Sequence, residues 1–121
     1  MDTWLMIFIG AVIVFIGYRA MSPAKGVKTI SADELKPELK KTGIQFIDVR
    51  TPSEFKANRI REFKNIPLNE LPARTRELDK NKATVVICQS GMRSSKAASI
   101  LMKNGFQNVI NVRGGMGSYR P

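Results

Sequence analysis

The chain has 121 residues, a single Cys, no His, and 20 Lys and Arg against 10 Asp and Glu, a formal charge of +10. That length accommodates one domain of about 100 residues with its own core. One Cys excludes an internal disulfide, and the lack of His excludes the common zinc patterns and any Cys–His catalytic pair.

In chain order, Trp4 to Tyr18 (WLMIFIGAVIVFIGY) is an uninterrupted apolar run followed directly by Arg19. As a helix its fifteen residues span about 22 Å against a hydrocarbon core of about 30 Å. With Thr3, Ala20 and a snorkelling Arg19 extending it, the run reads as a single-pass membrane anchor over residues 3–20. A cleaved signal peptide is the competing reading. Against it stand Asp2, an amino-terminal flank without Lys or Arg, and Pro23 directly after the only small-x-small pattern. Arg19, Lys25 and Lys28 follow the run, so the positive-inside rule places the domain on the cytoplasmic side of the cell membrane. A lone thiol stays reduced there. Residues 21–28, with SPAKG at their centre, read as a linker, and 29–121 as the domain.

Within the domain, Ser31 and Glu34 form a capping box, and Pro37 argues for one helical turn followed by a second start. Ile44 to Val49, Thr84 to Cys88 and Asn108 to Val112 read as buried strands, with Lys64 to Leu68 a fourth limited by Pro67. Thr51, Pro52 and Glu54 predict a short helix over PSEFKAN. Leu71 to Leu78 is predicted helical, as is the stretch from Ser94, with Gly105 as its stop. Strands alternating with helices imply an α/β domain with a mainly parallel sheet, whose ligands bind beyond the carboxyl ends of the strands. Asp48, Arg50 and Cys88 fall at such ends.

Cys88 ends a strand, and the chain turns through Gln89, Ser90, Gly91, Met92 and Arg93 before a helix. Backbone N–H groups of such a turn, aided by the helix dipole, favour an anionic sulfur without any imidazole. Gly91 supplies a backbone freedom other residues lack, and Arg93 adds positive charge. The alternative is a packed thiol that closes a strand. The small residues, the Arg and the following helix favour the reactive one.

Together, CQSGMRS (Cys88 to Ser94), FIDVRTPSEF (Phe46 to Phe55), NIPL (Asn65 to Leu68) and GFQNVINVRGGM (Gly105 to Met116) resemble a rhodanese-like domain of the small, membrane-anchored bacterial kind. The resemblance spans about residues 29–119. It implies a five-stranded parallel sheet flanked by helices, preceded here by the anchor. It also implies sulfur transfer through a persulfide on Cys88, from thiosulfate or a protein persulfide to an unspecified thiophilic acceptor. Gln89 to Arg93 would hold the transferred sulfur, with Ser94, Asp48 and Arg50 in support, and neither cofactor nor metal is called for. The chain departs from the usual GHIPGA with NRIREF (Asn58 to Phe63) and carries Tyr119 where Trp is common.

Two rivals remain. One is a catalytically weak docking module at the membrane. The other is a cysteine phosphatase or arsenate reductase, whose phosphate cradle has one more residue between Cys and Arg than the four found here. The basic surface suits anionic partners such as headgroups, tRNA or an acidic protein. Scattered charges without interleaved aromatics argue against nucleic acid.

Overall fold

The computed structural model describes residues 2–21 and 26–121. Helix α1 runs Thr3–Met21, and residues 2–17 are exposed along it. Among the described residues no helix is long and apolar enough to cross a membrane. That finding overturns the expected transmembrane anchor and the single-pass, cytoplasm-facing location built on it. The reason is length: the uninterrupted apolar part of α1 reaches about 22 Å, and a bilayer asks for some 30 Å. Residues 22–25 of the expected linker lie outside the described residues, and its last two belong to strand β1 (Val27–Ile30).

After β1 the order is α2 (Ala32–Glu38), β2 (Ile44–Asp48), α3 (Pro52–Ala57), β3 (Lys64–Asn65), α4 (Leu71–Arg74), β4 (Ala83–Ile87), α5 (Met92–Lys103), β5 (Val109–Val112) and α6 (Gly115–Ser118). The five strands form one parallel sheet in the order β1-β5-β4-β2-β3. Strand β3, expected over Lys64 to Leu68, is only two residues long. Beyond it the N–H groups of Ile66 and Leu68 still bond the Asp48 and Val49 carbonyls on either side of Pro67, whose missing N–H is tolerated on this edge strand.

Both expected capping boxes form, Ser31 with Glu34 on α2 and Thr51 with Glu54 on α3. Pro37 lies inside α2, which is one helix and not two turns. The N–H that Pro37 lacks would have met the carbonyl of Asp33, an exposed residue whose carbonyl water can serve. Where one helix was expected over 71–78, α4 passes into a 3₁₀ turn at Thr75–Glu77.

Alternation along β4 feeds two cores, one on each face of the sheet. Val86 and Cys88 face the core built with Ala97, Ala98 and Leu101 of α5, while Val85 and Ile87 face Leu35 of α2 and Met116 of α6. β2 divides likewise, with Ile47 and Val49 on the α5 side and Phe46 on the other. Since Asp48 pairs with Ile87 in register, the chain carries Val49 alongside Cys88 just past the sheet's carboxyl end.

Candidate active site

Cys88 follows the last residue of the central strand and has no exposed surface. Helix α5 begins at Met92, two residues earlier than expected, with Gly91 as its N-cap at φ +105°. Only glycine reaches that conformation without strain, and it turns the Gly91 N–H onto the Cys88 Sγ at 2.9 Å. The thiol donates to the Ser94 Oγ at 3.3 Å, and that hydroxyl donates to the Gly91 carbonyl at 3.1 Å. Burial pushes the thiol up, but the Ser94 hydroxyl and the backbone N–H groups of Ser94, Gly91 and Ser90 outweigh it, and Cys88 lies below the ordinary cysteine value. Part of this sulfur's surroundings is apolar, since Cys88 packs in the α5-side core. Its polar partners come from the first turn of α5.

The loop's other residues differ in placement. Gln89, Ser90 and Met92 are exposed, Met92 at 80%. Because Arg93 lies on α5 and not in the turn, its guanidinium is carried sideways to Glu54, which it grips through both nitrogens at 2.6 and 2.9 Å. The Arg93 pair, together with the Thr51 backbone N–H, brings the Glu54 carboxyl down to about 2. Glu54 was legible as a capping residue but not as the partner of the cysteine helix, because spacing says nothing of which helix α3 faces.

Asp48 and Arg50 form a buried ion pair, with Arg50 Nε 3.0 Å from both carboxylate oxygens and Nη2 2.8 Å from one. Arg50 also donates to the Glu54 carbonyl at 3.3 Å and to the Asn58 carbonyl, so it holds α3 by its carboxyl end. The pair thereby anchors the helix that carries Glu54. Asn65, quoted above only as part of a motif, secures the end of β2 through the carbonyls of Asp48 (2.9 Å) and Arg50 (3.0 Å).

The back of the loop rests on the second glycine-rich segment. Met116 N–H and Gly117 N–H donate to the carbonyls of Cys88 (2.8 Å) and Gln89 (2.9 Å). Gly115, at φ +55°, permits this approach, since a Cβ there would collide with the Cys88 carbonyl. Of the departures from the usual pattern, Arg59 stacks over the Phe55 ring at 5.2 Å, and Arg61 and Tyr119 line a separate surface cavity with Lys36 and Lys40.

A parallel sheet whose central strand delivers a cysteine to the amides at the start of the next helix defines an α/β domain with its thiol beyond the carboxyl end of the sheet. The chain belongs to the rhodanese-like domain family, whose pattern matches residues 31–120. An uncharacterized protein of Bacillus subtilis, YqhL, is 33% identical over 92% of this chain and 86% of its own. A sulfurtransferase of Allochromatium vinosum is 34% identical over 74% and 85%. The rhodanese-like domain protein of Staphylococcus aureus, known from its crystal structure, superposes with a TM-score of 0.71 at 35% identity, covering 77% of this chain and 91% of that one.

Proposed function

We propose that this protein is a sulfurtransferase working through a persulfide on Cys88. The observation that carries the reading is the sulfur at the amino end of α5, 2.9 Å from the Gly91 N–H. Relatives named sulfurtransferase, and a thiosulfate sulfurtransferase of Pseudomonas syringae 34% identical over 68% of this chain, support it. With thiosulfate as donor, the Cys88 thiolate attacks the outer sulfur, the S–S bond breaks, and its electron pair leaves with sulfite. A nucleophilic acceptor then takes the outer sulfur and restores the thiolate. The Ser90, Gly91 and Ser94 amides stabilise the anion before and after transfer. Cys88 has no exposed surface, so a donor reaches it only when the loop covering the sulfur shifts. Arg93 is already held by Glu54, so its part is to fix the loop against α3.

The test is to incubate the full chain with thiosulfate and weigh it before and after reducing agent. One added, reducible sulfur, lost in Cys88→Ser and passed to cyanide as thiocyanate, is the expected result. No mass gain, or a gain that survives Cys88→Ser, refutes the reading. Hydrolysis of an aryl phosphate would point to the phosphatase instead.

A further inference from the structure

Two departures from the usual family sequence, Arg61 in NRIREF and Tyr119 where Trp is common, lie in separate parts of the chain, and the fold brings them to one cavity of about 650 Å³. That volume is within the range of small-molecule sites. Lys36, Leu39, Lys40 and Glu62 complete the lining. Leu39 and Tyr119 are half-buried and pack against the core on the α2 side of the sheet, which gives the cavity a fixed apolar wall. Beside that wall, three cations meet one carboxylate, Glu62. Lys36 reaches Asp33 only at 3.9 Å, and Lys40 and Arg61 have no ion-pair partner among the described residues. Elsewhere Lys41, Lys64, Arg74 and Arg93 each hold a carboxylate at 3.1 Å or less.

Unpaired cations that converge on one concavity set up a positive potential suited to a polyanion. A bare inorganic ion would fill a small part of the volume and leave Leu39 and Tyr119 without a contact. We propose that the cavity binds a nucleoside polyphosphate. Lys36, Lys40 and Arg61 hold the phosphates, the base lies against the Tyr119 ring, and Glu62 accepts from a sugar hydroxyl. The site is on the opposite face of the sheet from α5 and uses no atom of the cysteine loop, so binding there is independent of sulfur transfer.

The test is calorimetric titration of the full chain with ATP, tripolyphosphate and adenosine at about 0.15 M salt, where diffuse surface attraction is screened. ATP is expected to bind roughly tenfold more tightly than tripolyphosphate, and more tightly than adenosine. Arg61→Gln should weaken ATP roughly tenfold. Lys96→Gln removes the same charge from α5, on the other face, and should change the affinity less than about twofold. Tyr119→Leu, with folding checked by circular dichroism, should bring ATP down to the affinity of tripolyphosphate. ATP that does not saturate the chain at millimolar concentration, ATP that binds no better than tripolyphosphate, or equal losses in Arg61→Gln and Lys96→Gln would each overturn the proposal. Cys88→Ser should bind ATP as the parent chain does. A chain that binds ATP in this pattern and takes no sulfur from thiosulfate loses the transfer reading and keeps this one.

Discussion

Cys88 carries two opposed demands, since the packing that makes it part of a core also removes the water that would solvate a thiolate. Three backbone N–H groups and one hydroxyl outweigh the burial and hold the thiol below the ordinary cysteine value. The Ser94 proton now satisfies the Gly91 carbonyl, and on ionisation it can turn to the sulfur. Alkylation of Cys88 by iodoacetamide, followed against pH, should therefore show a midpoint below that of free cysteine, and Ser94→Ala should move it upward. An unchanged midpoint in that variant would remove the hydroxyl from the account. The full burial of the sulfur adds that the plateau rate should be slower than for an open thiolate. Arg50 makes a different case: Asp48 is fully buried and Arg50 almost so. Arg50→Met would strand a buried carboxylate, at a cost of about 3–5 kcal/mol in urea unfolding. Much of this was legible, because Cys, Gly91 and the following helix point to a sulfur cradle by type and order alone. The direction of Arg93 was not, since it depends on α5 starting at Met92.

Between elements, the contact that matters most is the latch from α5 to α3. Arg50 holds α3 from beneath, and Glu54 on that helix holds Arg93 on the helix that caps the cysteine. Both latch side chains are about one-third exposed, so the pair contributes less than about 1 kcal/mol, and its worth is positional. Its pH dependence has a definite sign. The Glu54 carboxyl is lowered from 4.5 to about 2 on folding, so its contribution is complete above 4.5 and fades as pH falls toward 2. Glu54→Gln is accordingly expected to lower stability at pH 7 and to converge with the parent chain as acid is added. A constant gap across that range would contradict the latch. Both capping boxes were readable because their donors and acceptors are local.

At the scale of the whole molecule, the strand order follows from burial. The central strands β4 and β2 are apolar on both faces, as strands covered by helices on each side must be, and their runs were the easiest to find. The edge strand β1, VKTI, half-exposed and four residues long, gives no such signal and was read as linker and domain entry. The apolar run of α1 was found without difficulty and its meaning was not, because hydropathy registers composition more readily than reach. Leu101 is fully buried in the α5-side core beside Cys88 and Val109, and Leu101→Ala should cost about 2–5 kcal/mol. The same substitution should raise the rate of Cys88 alkylation, since the cavity it leaves loosens the helix that covers the sulfur.

One feature of the loop reaches into how the protein is made. The carbonyls of Cys88 and Gln89 are held by amides of Met116 and Gly117, which leave the ribosome well after them. Until that later segment is in place, the nascent chain carries its thiol on an unsupported turn. The loop geometry that lowers the Cys88 thiol is thus complete only in chains that already carry Met116 and Gly117.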